Sequence, residues 1–189
     1  MEKRTWRLKL GLSEPGFPLT VQTSPGRALK EQKLLPFKKI LCPTDFSEPS
    51  YDALKAAGEM ALHFGAELVV IHVIPPVPVQ YPYPDPPVAS SFDVALYQQE
   101  LAISAENALK GVVAQRVSPK VRTLATVVTG DPAGEIVGKA QDENADLVII
   151  ATHGLTGWRH LVFGSVAEKV VRTAACPVLT IREPRKAEG

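Results

Sequence analysis

The sequence predicts a doubly wound α/β domain, with a five-stranded parallel open sheet and helices on both faces. Three observations carry that prediction. Strand-like and helix-like stretches alternate without interruption from residue 37 to residue 182. The best strand runs are apolar throughout, which marks strands covered on both faces. Helix-start signals follow strand ends, at Ser47 and at Asp131-Pro132. Parallel strands joined by helices close through right-handed crossovers that place helices on the sheet.

The elements follow in order. "KKILCP" reads as the first strand, and Ser47 caps a helix through "EPSYDALKAAGEMALHF", where Pro49 is tolerated in the first turn. "AELVVIHVI" is the second strand. The next segment, "PPVPVQYPYPDPPVAS", is held extended by its prolines and leads to a long helix, "FDVALYQQELAISAENALKGVVAQR". The third strand, "VRTLATVVTG", is the least continuous. Asp131 then offers an N-cap with Pro132 at the first helical position, opening "AGEIVGKAQDEN". "ADLVIIA" is the fourth strand. A last helix from Ser165 to Ala175 leads into a fifth strand, "CPVLTIR".

This divides the chain into an N-terminal extension (1–36), one α/β domain (37–183) and a short tail (184–189). The extension holds Pro15, Pro18, Pro25 and Pro36 and an excess of Lys and Arg. One alternating piece in it, "TWRLKLGL", could pair as an edge strand.

Composition narrows the function. The chain has 189 residues, 45% apolar and 22% charged, with net charge +1. No global basic field for nucleic acid or an anionic membrane follows from that balance. Two cysteines, Cys42 and Cys176, lie in or beside apolar strand runs and read as buried free thiols. No apolar run approaches the roughly 18 residues that span a bilayer. Charged residues at the N-terminus are followed by no apolar signal core. The expected compartment is reducing and cytoplasmic.

In open parallel sheets, ligands bind at the carboxyl ends of the strands, where strand order reverses. The loops of interest are therefore "PTDFSEP", "IPPVP" and "THGLTG". Asp45, just past the first strand, could accept hydrogen bonds from a ribose hydroxyl. Alternatively, Asp45 and Ser47 both cap the helix that follows. The stretch "ATHGLTGWRHLVFGS" contains neither a P-loop nor a G-x-G-x-x-G fingerprint. It does place Gly164-Ser165 at a helix start, where backbone N–H groups and the macrodipole favour an anion. Ser165 with Glu168 three positions on also reads as a capping box, which would account for that serine without a ligand.

"KKILCPTDFSEPSYDALKAA", "AELVVIHVIPP", "ADLVIIATHGLTGW" and "FGSVAEKVVRTAACPVLTIR" together resemble the universal stress protein family, in the right order over residues 37–182. The resemblance implies a Rossmann-like, adenine nucleotide alpha hydrolase-like fold with strand order 3-2-1-4-5. It also implies a homodimer formed through the last strand, Val178, Leu179, Thr180 and Ile181. One branch of the family binds ATP through a motif of G-x-x-G, nine residues, then G-[ST]; another lacks the motif and binds no nucleotide.

Carried onto this sequence, the motif fixes a register. Gly154 and Gly164 are the glycines separated by nine intervening residues, and Ser165 is the hydroxyl. Gly154 and Gly157 are not the family's first pair, because only six residues would then precede Gly164. The first motif position is Ala151, where the family has glycine. Pro43, Thr44 and Asp45 match the ribose and adenine-edge segment. Val73 matches an adenine-contacting position, and Ile150 the residue before the first glycine. Phosphates would then lie over 151–154 and 164–166, with His153 and Val166 beside them. If position 151 requires φ > 0, alanine costs about 1–2 kcal/mol. If it is the last extended residue of the fourth strand, alanine is permitted, and its place after "DLVII" favours that.

The expectation is ATP, with Mg²⁺ carried on the nucleotide, bound by a regulator of stress response that has no dedicated catalysis. Weak ATPase activity or autophosphorylation, or a nucleotide-free adaptor role, are the alternatives. An adenylate-transferring pyrophosphatase would need a glycine-rich S-G-G-x-D-S turn that "CPTDFSE" lacks. Thr152 could join His153 at the phosphates, and Arg159 and His160 could approach the terminal one. His63 and His72 read as packing or surface residues. No spacing reads as a metal cage. "PDPP" is a weak P-x-x-P match, and Trp158 a residue that covers the loop or marks a contact surface.

Overall fold

The structure, a computed structural model, describes residues 35–76, 93–153 and 164–182. Along the chain run β1 (Lys39–Pro43), α1 (Glu48–Phe64), β2 (Glu67–Ile74), α2 (Val94–Arg116), β3 (Thr123–Thr129), α3 (Pro132–Asp142), β4 (Leu147–Ala151), α4 (Ser165–Thr173) and β5 (Val178–Ile181). The five strands form one parallel sheet in the order β3-β2-β1-β4-β5. That is the predicted fold and strand order. The "TWRLKLGL" piece, "PDPP", Gly154, Gly157, Trp158, Arg159 and His160 lie outside the described residues.

Each central strand feeds two cores, because successive side chains point to opposite faces. Ile40, Cys42, Leu68, Val70, Leu147 and Ile149 face one side with Ala53, Leu54 and Ala57 of α1 and Leu109 of α2. Leu41, Val69, Ile71, Val148 and Ile150 face the other with Ala133 and Ile136 of α3 and Ala167 and Val170 of α4. Burying one such side chain contributes about 1.5–3 kcal/mol, so the sheet centre dominates stability. The third strand, for all its broken apolar pattern, pairs with β2 in continuous register from Thr123 to Thr129.

The helices start and stop where their end groups can be satisfied. The Ser47 hydroxyl accepts from the Ser50 N–H, and Gly65 ends α1 in the left-handed region at φ 66° with its N–H on the Ala61 carbonyl. Asp131 caps α3 by accepting from the Gly134 N–H at 2.9 Å. Two expectations are corrected. The last helix ends at Thr173, short of Ala175, and its N-cap is Gly164. Ser165 is thus the first helical residue and forms no capping box, because Gly164 takes the flanking extended conformation (φ −71°, ψ 155°) one residue earlier.

The thiols differ from expectation in one respect. Cys42 is fully buried, and burial pushes its thiol up to about 12, where the reactive thiolate is scarce at neutral pH. Cys176 is only half-buried; burial raises its pKa as well. Among the described residues no helix is long and apolar enough to cross a membrane.

At the amino ends of the strands, charged groups tie β1 to the α3–β4 turn. Asp146 accepts from the backbone N–H of Lys38 and Lys39 at 2.7 and 2.9 Å. Lys39 and Lys139 both reach Glu143, at 2.8 and 2.9 Å. The Lys39 bond, then that of Lys139, lowers the Glu143 carboxyl from 4.5 to about 2. A depressed carboxylate contributes stability that is complete above its unfolded pKa and lost as pH falls through the folded one. Unfolding midpoints should therefore drop between about pH 4.5 and pH 2. Glu143→Gln should flatten that drop while lowering the midpoint at pH 7; a denaturation series that leaves the acid limb unchanged would refute this.

Candidate functional site

The carboxyl ends of β1, β2 and β4 open onto one cavity of about 710 Å³. It lies where the chain leaves β1 and β4 in opposite directions across the sheet, the switch point of the fold. Of the residues expected at the site, Pro43, Thr44, Asp45, Val73, Ile150, Ala151, His153, Gly164, Ser165 and Val166 all line it. Gly154 is outside the described residues.

The β1–α1 loop forms one wall and is tightly knit. The Thr44 N–H donates to the Ile71 carbonyl at 2.9 Å. Its hydroxyl accepts from the Phe46 N–H at 3.1 Å and lies 2.9 Å from the Ser50 hydroxyl. Since the Ser50 hydroxyl donates to the Ser47 carbonyl, Thr44 is the donor of that pair. The Asp45 carboxylate accepts from both the backbone N–H and the hydroxyl of Ser47. Asp45 is therefore part of the helix-start turn as well as of the cavity wall. Phe46 occupies the left-handed region at φ 65°, where a side chain costs about 1–2 kcal/mol. Its ring stacks on His72 with centroids 4.3 Å apart.

The opposite wall comes from β4 and α4. Ala151 closes β4 in register with Ile181, and its backbone is extended. The described non-glycine residues with positive φ are Phe46 and Asn144, so position 151 has no need of glycine's conformational freedom. The Thr152 N–H donates to the Ile181 carbonyl, and the Thr152 carbonyl accepts from the Gly164 N–H at 2.7 Å. This brings the start of α4 against the end of β4. The Thr152 hydroxyl and His153 Nδ1 are 2.9 Å apart. Gly164 offers α4 no side-chain cap, and the N–H groups of its first turn, in Ser165, Val166 and Ala167, have no intrahelical acceptor. All three residues line the cavity.

Sequence reasoning missed part of the lining. Leu101, Ser104, Ala105 and Ala108 of α2 form a third wall, and Pro132 and Ile136 of α3 close the floor. The α2 residues have the spacing of one helical face, and three of the four, Ser104, Ala105 and Ala108, have small side chains that leave room. Phe46 and His72 were also missed as lining residues; His72, read as packing or surface, does both jobs. Among the described residues no cluster of His, Cys, Asp or Glu could hold a metal ion.

The universal stress protein family model matches residues 36–182. The chain belongs to the universal stress protein family. Universal stress protein MJ0531 of Methanocaldococcus jannaschii is 36% identical over 150 residues, 79% of this chain and 85% of that protein. Protein MJ0577 has a solved structure that superposes with a TM-score of 0.66 at 26% identity, covering 80% of this chain and all of the other. Another universal stress protein, solved in complex with cAMP, shares the fold at TM-score 0.50 and 20% identity, covering 77% of this chain and 97% of its own. In this universal stress protein the cavity thus sits on a fold shared across relatives.

Proposed function

We propose that this universal stress protein binds ATP in the cavity and acts as a dimeric, nucleotide-responsive regulator. The observation that carries the reading is the start of α4, which Gly164 leaves without a side-chain cap of its own and which lines the same cavity as Asp45. Partial positive charge at a helix N-terminus favours phosphate, and a carboxylate across the cavity suits ribose hydroxyls. The apolar walls, with Ile71, Val73, Ile150 and Ile136 among them, suit a base. The cavity volume falls within the roughly 300–1,000 Å³ usual for small-molecule sites. Mg²⁺ would arrive on the phosphates. A protein of this fold solved with cAMP supports the fold as a carrier of adenine nucleotides.

Gently purified protein should carry nucleotide detectable by mass spectrometry, and millimolar Mg-ATP should raise its melting temperature. No co-purifying nucleotide together with no thermal shift would leave the nucleotide-free adaptor. Phosphate release that scales with protein and vanishes when Gly154 is made bulky would add slow hydrolysis.

The dimer part of the reading rests on β5, which ends the sheet order. The carbonyls of Pro177, just before β5, and of Ile181 accept from the Val148 and Thr152 N–H groups, so the backbone groups of Val178 and Thr180 face the outer edge by the strand's period of two. A second copy pairing there would protect that edge. Thr180→Pro removes one outward N–H and should turn a dimer into a monomer in sedimentation velocity, with the helical content kept. A wild-type monomer, or a dimeric variant, would overturn it.

A further inference from the structure

We infer that His72 is a positioning residue for the cavity: it holds the Thr44–Phe46 turn and through it the carboxylate of Asp45. The inference rests on the nucleotide reading above and adds a residue that the motif comparison does not reach. His72 stands on β2, one strand away from the turn it serves. Its Nδ1 lies 2.8 Å from the Thr44 carbonyl. A carbonyl only accepts, so Nδ1 carries the proton, and in the neutral ring Nε2 is left as an acceptor. The imidazole also stacks on Phe46, centroids 4.3 Å apart at 32°.

Both contacts act on the same three residues. The Thr44 carbonyl belongs to the peptide that leads into Asp45. Phe46, directly after Asp45, is held at φ 65°, a conformation that persists only where its surroundings enforce it. The ring stack and the Phe46 N–H bond to the Thr44 hydroxyl supply that enforcement. Without the imidazole, the turn is free to relax toward negative φ at residue 46, which redirects the peptides on either side of Asp45. The other inner ties of the loop, from Thr44 to Ile71 and among Thr44, Ser47 and Ser50, leave the Thr44 carbonyl to His72.

The test is a double-mutant cycle on the full chain, titrated with Mg-ATP, beside a ligand-free measurement. His72→Phe and Asp45→Ala should each weaken binding about tenfold, and the double variant should bind no worse than Asp45→Ala alone. His72→Asn, whose amide can donate from nearly the place of Nδ1, should stay within about threefold of wild type. Additive losses, or equal losses for His72→Asn and His72→Phe, overturn the proposal. Nitrogen-15 NMR of the unliganded wild type should show the Nδ1–H tautomer at His72, and the Nε2–H tautomer overturns it. If the wild type ignores Mg-ATP, the nucleotide reading fails by itself. The positioning role then stands or falls on the tautomer and on hydrogen exchange at the Phe46 and Ser47 amides, expected to be faster in His72→Phe, which loses the bond to the Thr44 carbonyl, and to stay nearer the wild-type rate in His72→Asn, which keeps it.

Discussion

Gly164→Ser should stabilise the unliganded protein slightly and weaken its affinity for Mg-ATP at least tenfold. The two effects have one cause. Gly164 is the N-cap of α4 and offers no side chain to the first-turn N–H groups. A serine there can turn its hydroxyl onto the N–H of Val166 or Ala167, which gains a few tenths of a kcal/mol over glycine. Those are the donors a phosphate would need. Losing about 1.4 kcal/mol of phosphate stabilisation corresponds to tenfold in affinity. The backbone places no obstacle in the way, since φ −71° and ψ 155° suit any residue. An added Cβ would meet the Thr152 carbonyl at 3.4 Å, an ordinary contact. Gly164→Val makes the complementary case: it cannot cap, yet its bulk at the helix start should weaken Mg-ATP by at least as much. Calorimetric titration and thermal melts of both variants read the two effects apart. A serine variant with unchanged affinity would remove the phosphates from the start of α4.

The parts of the molecule that sequence reasoning reached, and the parts it missed, divide along physical lines. A strand buried on both faces leaves an unbroken apolar run, so "KKILCP", "ELVVIHVI" and "DLVII" declare themselves, and alternation with helices fixes the fold class. Loop residues at strand ends are likewise placed by the fold, which is why Asp45 and Gly164 meet around one cavity although far apart in the chain. The cap of α4 was misplaced by one residue, because Gly-Ser offers two candidate caps and only the backbone angles decide between them. The contribution of α2 stayed hidden for a different reason. Its apolar side chains are spread around the helix, with Leu96, Tyr97 and Ile103 exposed and Leu109 alone buried among its described residues. No single apolar stripe therefore singles out Leu101, Ser104, Ala105 and Ala108 as a cavity wall. His72 was concealed within an apolar strand, where its partner across the sheet cannot be read from spacing.

The largest effect on stability should come from Ile149→Ala. Ile149 is fully buried in the middle of β4, between β1 and β5, facing the core shared with α1. Removing its side chain beyond Cβ loses the transfer free energy and leaves a cavity that a close-packed sheet cannot collapse, a cost of about 2–5 kcal/mol. Against a total of about 5–15 kcal/mol this is a large fraction. For a chain of this size it lowers the melting temperature by about 4–20 °C. Leu124 supplies the control. It lies on edge strand β3 and keeps 42% of its surface exposed, so Leu124→Ala should cost well under 1 kcal/mol. Ile149 also directly precedes the pair Ile150 and Ala151, which line the cavity from the same strand. A chemically similar Ile149→Val, costing about 0.5–1.5 kcal/mol, should preserve Mg-ATP affinity, because the strand backbone that carries both residues is held by its pairing with β5 from Val148 to Ala151. Chemical denaturation of the three variants at a common temperature measures the ranking. A Leu124→Ala loss equal to that of Ile149→Ala would mean that β3 is covered as fully as the sheet centre, contrary to the exposure of Leu124.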